Sequence, residues 1–196
     1  MRVTGGEWRS RRLKGPKRDQ RLRPTPDAMR ERCFAVLGDR TPGARVLDLF
    51  AGTGAVGIEA LSRGAASAVF VDSHRRAAAL IRANLDALEV TDDRAVVMVC
   101  TACQSVDRLA RRRRIFDLIW ADPPFECWRD GLDALVAAAT SEVVEPDATL
   151  CLECPADAAV DAALPAGLVL ERDLRGGASR VAILRRRRAD RKTAGP

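Results

Sequence analysis

From Ala44 to Leu184 the chain alternates short, continuous apolar runs with longer amphipathic stretches, and this alternation narrows the fold more than any other feature. Strand-like runs fall at 45–50, 67–72, 95–100, 115–121, 148–153, 167–172 and 180–184. Helical patterns fill 55–63, 74–88 and 129–140, with shorter ones at 103–110 and 156–163. Strands that are apolar throughout are buried on both faces, and the helices between them supply the cover. The pattern therefore predicts an α/β domain on a mostly parallel seven-stranded sheet. The last two runs have no helix between them, and Gly176-Gly177 lets them fold back as an antiparallel hairpin.

A chain of 196 residues, 47% hydrophobic, suffices for one such domain and a small appendage. It contains no run of about 18 apolar residues, and its arginine-rich start lacks an apolar segment. Neither a membrane span nor a secretory signal is expected, which points to the cytoplasm. The net charge of +6 is unevenly placed. Residues 1–32 carry eleven Lys/Arg against Glu7, Asp19, Asp27 and Glu31, a balance of +7 that leaves −1 for the rest. A basic end on a near-neutral body fits a module that finds a polyanion.

Residues 1–24 read as a basic arm in which Val3–Trp8 and Arg11–Leu13 can pair around Gly5-Gly6. Thr25 or Asp27 can cap a helix with Met29, Cys33, Phe34 and Leu37 at helical spacing, and Gly38 ends it. The expected division is thus 1–40, basic arm and helix, and 41–196, a ligand-binding domain with a basic tail. Arg111–Arg114 abut the apolar run at Ile115 and read as a loop before a strand. Arg185–Arg188 with Arg191 and Lys192 read as a frayed tail.

Cys100/Cys103 and Cys151/Cys154 form two CxxC pairs, but the 47 residues between them exceed a zinc-ribbon spacing. Within a strand, residues three apart face opposite sides, so Cys151 and Cys154 read as buried, reduced thiols and no metal is expected. His74 is the only histidine, which leaves no histidine-based triad.

Gly52-Thr53-Gly54-Ala55-Val56-Gly57 follows the first strand as GxGxxG, with Asp72 ending the second strand. Ligands of open α/β sheets bind beyond the carboxyl ends of the strands, where strand order reverses. Glycine lets the backbone approach a ligand, and Asp72 can take two ribose hydroxyls, or cap a helix before Ser73 and His74. This much serves a dinucleotide as well as S-adenosylmethionine. Asp48, four residues before the glycines, is an awkward neighbour for a pyrophosphate and a natural partner for the amino group of a methionine moiety. Its bland alternative is a carboxylate bonding backbone N–H groups at the turn.

Asp122-Pro123-Pro124-Phe125 follows the fourth apolar run. The Asp122 carboxylate and the Pro123 carbonyl can accept hydrogen bonds from a planar amine, directing its lone pair at a methyl donor. The prolines fix the loop, and Phe125 offers a face on which a base stacks, worth about 1–3 kcal/mol. Trp128 either extends that surface or packs beside it.

These motifs resemble the class I, Rossmann-like S-adenosylmethionine-dependent methyltransferases, and the (D/N)PP(F/Y) loop resembles their amino-methylating branch. Val3-Thr4-Gly5-Gly6-Glu7-Trp8-Arg9, Leu22-Arg23-Pro24-Thr25, Leu47–Gly54 and Gly57–Ala65, in this order, are similar to the RsmD family. That family methylates N2 of a guanine in small-subunit (16S) ribosomal RNA. The resemblance runs from residue 1 to about 126. It implies methionine-end contacts at Asp48, Phe50, Gly52 and Gly54, with Asp72 at the ribose and Ser73 at the adenine. It further implies Asp122, Pro123, Pro124 and Phe125 as the catalytic loop, and an arm of Arg9, Arg11, Arg12, Arg23, Pro24 and Thr25 that holds RNA. Ala102 falls where many relatives place a polar or acidic residue to meet the adenine amine.

The expected activity is therefore methyl transfer to the exocyclic N2 of guanine in ribosomal RNA or the small ribosomal subunit. A DNA adenine or cytosine amino-methyltransferase and a non-catalytic RNA-binding assembly factor are the alternatives. Nothing in the sequence requires more than a monomer.

Overall fold

The computed structural model describes residues 1–15 and 27–186. Helix α1 (Asp27–Leu37) is followed by a 3-10 turn, Gly38–Arg40. The sheet domain then runs β1 (Arg45–Leu49), α2 (Ala55–Ser62), β2 (Ser67–Asp72), α3 (Arg75–Ala87), β3 (Ala95–Val99), α4 (Ala102–Arg111) and β4 (Phe116–Ala121). It continues through α5 (Trp128–Thr140), β5 (Val144–Pro155), α6 (Val160–Ala163), β6 (Leu168–Gly176) and β7 (Ser179–Arg186).

The seven strands lie in the order β3-β2-β1-β4-β5-β7-β6. The first five run parallel; β7 pairs antiparallel with both β5 and β6. This is the mostly parallel sheet with an antiparallel finish that the apolar runs predicted. Strand order reverses between β1 and β4, so a crevice is expected at their carboxyl ends.

Period two separates the two faces. Val46, Leu118 and Trp120 enter one core with α1, α2 and α3; Leu47, Leu49, Ile119 and Ala121 enter the other with α4 and α5. Cys151 and Cys154 fall in opposite cores, as their spacing requires. Burial pushes the Cys33 thiol up to about 12 and that of Cys154 up to about 11, so both are inert.

All eight residues of α2 are buried. A helix buried on every face needs cover on two sides. The sheet supplies one and the N-terminal segment the other, through Val3, Trp8 and Leu13 in the same core. Over residues 1–15 the basic arm is thus packed on the domain. It closes through an Arg2–Arg12 bridge and mutual bonds of Val3 with Arg11 and Ser10, so the intervening loop is longer than a turn at Gly5-Gly6. Those glycines serve another purpose. A Cβ on Gly6, at φ +75°, would lie 1.8 Å from the Ser62 carbonyl oxygen, and one on Gly5 would strike the Arg63 guanidinium. Their bareness lets the loop meet the end of α2, where the Glu7 N–H donates to Ser62 O and the Trp8 N–H to Ser62 Oγ.

Four other expectations need adjusting. Asp27 is the first helical residue of α1 and pairs with Arg30 one turn on, while Thr25 lies outside the described residues. The last helical pattern, at 156–163, shrinks to Val160–Ala163 because Ala156 still donates to Ala178 across the hairpin. Strand β5 starts at Val144, earlier than its apolar run, with a register shift opposite Phe116 and Leu118. Arg185 and Arg186 belong to β7. None of the helices among the described residues is long and apolar enough to cross a membrane.

Candidate active site

The glycine turn is built by three departures from ordinary backbone. Phe50, Gly52 and Gly54 have φ of +60°, +54° and +79°. Glycine adopts such angles freely, whereas for an aromatic residue the left-handed region is strained and persists only where surrounding contacts impose it. The Ala51 N–H donates to Val71 O, and the Gly54 N–H to Ala51 O, so the turn is tied to β2 and to itself.

Two carboxylates hold this turn. Asp48 shares a face with Val46 and so points at the start of α2, where its Oδ2 accepts from the Gly57 N–H at 2.9 Å. Gly54 precedes the helix and has no side chain to cap it, so Asp48 supplies the missing acceptor from the neighbouring strand. Asp72 Oδ2 accepts from the Gly52 N–H at 2.9 Å, and its Oδ1 from the His74 N–H at 2.8 Å, which starts α3. Both bland readings of these acids, bonding of turn N–H groups and helix capping, are therefore realised. Each carboxylate keeps acceptor capacity for a ligand.

Burial separates the two acids. Asp48 is wholly enclosed, and desolvation pushes its carboxyl up to about 7, against the Gly57 bond that lowers it and the Asp72 charge that raises it further. Such an acid is poised to bind a cation, because a positive group beside it restores the ionised form.

Gly57 carries the third glycine role. A Cβ there would lie 2.3 Å from Phe70 Cε1, so glycine brings α2 onto β2. Beneath the turn, buried Asn84 of α3 donates to Thr53 O at 3.0 Å and to Lys14 O at 3.1 Å, and accepts from the Lys14 N–H at 2.7 Å. A single amide thereby joins the turn to the N-terminal segment. The sequence reading missed Asn84; its only local sign is a polar residue on the apolar face of α3.

Leu49 of β1 lies opposite Ala121 of β4, so Asp122 begins beside the end of β1, and its N–H donates to Leu49 O at 3.4 Å. Pro123 is buried, while Pro124 and Phe125 are exposed, Phe125 by 40%. The Pro123 ring packs on Gly131 of α5, where a Cβ would sit 2.7 Å from its Cγ. Gly131 was also missed, although an isolated glycine inside a helical pattern signals close packing. Trp128 is half-buried, with the Arg129 guanidinium 4.7 Å from its ring centre. The two glycine-rich and proline-rich loops thus share the crevice at the switch between β1 and β4.

The remaining predicted residues spread outward. Ser73 is exposed and Ala102 buried at the start of α4, where Thr101 and Gln104 form a reciprocal cap. That cap occupies the polar groups following β3. Arg9, Arg11 and Arg12 are exposed, and Arg11 donates to Ala87 O at the end of α3. Arg23, Pro24 and Thr25 lie outside the described residues. His74 is exposed, with Nδ1 3.2 Å from Asp72 Oδ1.

Residues 1–185 match the family model described as Conserved hypothetical protein 95. The chain belongs to that family, the RsmD family. The ribosomal RNA small subunit methyltransferase D of Escherichia coli K12 is 37% identical over 125 residues, covering 64% of this chain and 60% of its own length. A Bacillus subtilis relative, YlbH, provisionally named an rRNA methyltransferase, is 40% identical over 126 residues, or 64% of this chain and 67% of that protein. These alignments therefore span only 60–67% of the curated relatives' lengths. The solved structure of Escherichia coli yhhF, provisionally described as a methyltransferase, covers 95% of this chain and 97% of its own. It superposes with a TM-score of 0.77 at 29% identity, which confirms the Rossmann-like architecture of the RsmD-family chain.

Proposed function

We propose that this chain is an S-adenosylmethionine-dependent methyltransferase that modifies the exocyclic N2 of a guanine in small-subunit ribosomal RNA. The observation that carries the reading is the meeting of the Asp122 loop with the strained glycine turn at one switch point. The residues fit the cofactor. Asp48 is a buried acid whose pKa is raised by desolvation, so that an ammonium beside it would favour its ionised form, and Asp72 keeps acceptor capacity for ribose hydroxyls. Phe50, Gly52 and Gly54 shape the turn around the methionine end, Ser73 borders the adenine, and Ala102 gives it an apolar contact.

The bound cofactor supplies an electrophilic sulfonium methyl. The chain's residues supply position. The Asp122 carboxylate and the Pro123 carbonyl accept the two N–H bonds of the guanine amine, and Phe125 stacks on the base. Held in this way, the amine would present its lone pair to that methyl group, and the methylated nitrogen would carry one proton in excess. Its proton then leaves to Asp122 or water. Catalysis is thus mainly orientation and electrostatics. The guanine must be splayed out of its helix to reach the loop.

On this reading Arg9, Arg11 and Arg12, with Arg23, Pro24 and Thr25 of the sequence, hold RNA within residues 1–40, and the methyl-transfer function belongs to residues 41–196. With a ribosomal RNA substrate, the protein on this reading works in the cytoplasm as a monomer without a metal.

The test is methyl transfer from labelled S-adenosylmethionine to unmodified small ribosomal subunits and to their naked RNA, followed by nucleoside mass spectrometry. N2-methylguanosine that disappears with Asp122→Ala is the expected product. Transfer to DNA alone, or a product that survives Asp122→Ala, would overturn the reading.

A further inference from the structure

Arg108, Arg111, Arg112, Arg113 and Arg114 are all exposed, at the end of α4 and in the loop before β4. Among the described residues none of them enters an ion pair. That bareness contrasts with other arginines at the same end of the sheet. Arg45 is held by Asp117 and Glu145, and both Arg40 and Arg185 by Glu171. Asp117, Glu145 and Glu171 are thus committed elsewhere, and five exposed arginines against the one acid of α4, Asp107, leave that end positive.

Helix-end electrostatics accounts for part of this cluster only. Cations in a last turn offset the partial negative charge of the carbonyls, which covers Arg108 and Arg111. Arg112, Arg113 and Arg114 lie past the helix. The Arg114 N–H donates to Leu109 O and the Arg113 N–H to Ala110 O, a Schellman ending with Arg113 at φ +52°. Glycine is favoured at that position. Helix α2 has Gly64 there, and α3 has Glu89. An arginine there trades backbone ease for charge.

The position of the cluster is informative as well. Strand β4 separates it from Asp122, and six residues at about 3.3 Å each put the two roughly 20 Å apart. The cluster lies at the amino ends of the parallel strands, and the proposed reaction at their carboxyl ends. A base in the Asp122 loop does not reach it, whereas the backbone of a large folded RNA does.

We propose that Arg108 and Arg111–Arg114 form a second phosphate-binding surface, which grips the ribosomal RNA substrate away from the guanine being modified. This rests on the RNA methyltransferase reading above and adds a remote contact to it. Arginine suits the role because its planar fork binds phosphate oxygens in pairs. The surface holds the particle, while the Asp122 loop holds the base.

Two variants test it on the full chain, Arg112→Glu with Arg114→Glu, and Arg113→Gly. The substrates are unmodified small-subunit RNA, naked and in the subunit, over a series of KCl concentrations. The double variant should raise KM for RNA at least tenfold and leave the dissociation constant of S-adenosylmethionine unchanged. The salt slope of RNA binding should flatten by about 0.7–0.9 per lost phosphate contact. Arg113→Gly should move two readouts in opposite directions, raising Tm by relieving the left-handed residue while weakening RNA binding several-fold. A purely structural loop would show the first change without the second. RNA affinity within twofold of wild type for both variants would overturn the proposal. Wild-type protein that methylates no RNA would instead sink the underlying activity.

Discussion

The side-chain amide of Asn84 donates to the Thr53 carbonyl at 3.0 Å, placing the glycine turn under the control of a buried residue of α3. The same amide makes two bonds with the Lys14 backbone, so the N-terminal segment and the turn share one support. Thr53 Oγ1 also meets Met1 Sδ at 3.5 Å.

Replacing Asn84 with Leu should therefore affect two regions together. Thr53 O and the Lys14 backbone would lose their buried partner, and an unmade hydrogen bond of this kind costs about 1–3 kcal/mol. Thermal unfolding should show that loss, and titration with S-adenosylmethionine a weaker affinity as the turn loosens. Unchanged cofactor affinity in a destabilised variant would mean that Asn84 supports the fold alone.

The Asp48 carboxyl provides a pH test. Burial raises it to about 7 from an ordinary value of 3.8, so the folded protein binds this proton more tightly than the unfolded chain does. Between about pH 4 and 7 the cofactor-free protein must lose stability from this group as pH rises, and the loss is complete above that window. Asp48→Asn keeps an acceptor for Gly57 and removes the effect. The Tm difference between wild type and variant should thus shift in the variant's favour from pH 5 to 8. Cofactor affinity should rise over the same range in wild type and stay flat in the variant. A pH-independent Tm difference would contradict the assigned cause.

Gly131→Ala probes the proline loop from behind. Its Cβ would lie 2.7 and 2.9 Å from Pro123 Cγ and Cδ and 3.0 Å from Leu152 Cδ1. The ring is rigid and must move as a unit. Overpacking of this sort costs typically ~1–3 kcal/mol, and a displaced Asp122 loop should lower kcat well before it changes cofactor binding. Steady-state kinetics with both substrates separates these effects; a normal kcat would show that the loop absorbs the methyl group.

The strands were legible because each is a continuous apolar run, and the hairpin because Gly176-Gly177 stands where a crossover helix is missing. Asp48, Gly52, Asp72 and Asp122 were legible as positions at or near the carboxyl ends of strands, because the apolar runs mark where β1, β2 and β4 end. The capping role of Asp48 was visible only as an alternative. Long-range partners were hidden. No local pattern shows that Asn84 faces both Thr53 and Lys14, or that Gly131 faces Pro123. The N-terminal segment misled most, because its charge density concealed Val3, Trp8 and Leu13 as a lid for α2.

That lid changes what a truncation reports. Deleting an arm that only held RNA would leave the domain intact, yet Val3, Trp8 and Leu13 are at most 8% exposed, and each contributes about 1.5–3 kcal/mol by burial. The segment also completes a buried charge network. Arg30 and Glu59, both fully enclosed, pair at 3.2 Å through Oε2, where the Thr4 N–H also donates, while Arg63 Nε and the Thr4 hydroxyl donate to Oε1. Burial alone would raise the Glu59 pKa, but the Thr4 bonds, Arg63 and Arg30 outweigh it and hold it below the ordinary value. Glu59→Gln would remove one of the two carboxylates beside buried Arg30 and leave it the Asp27 pair, so the cost should fall below the about 3–5 kcal/mol of a wholly unpaired buried charge. Deleting residues 1–13 should be at least as damaging, lowering Tm and weakening cofactor binding through Asn84. The RNA role of the arm is therefore better tested with exposed residues, as Arg9→Glu with Arg12→Glu. That pair should keep the wild-type Tm while weakening RNA binding and flattening its salt dependence. A wild-type RNA affinity in the double variant would leave the segment as a structural lid alone.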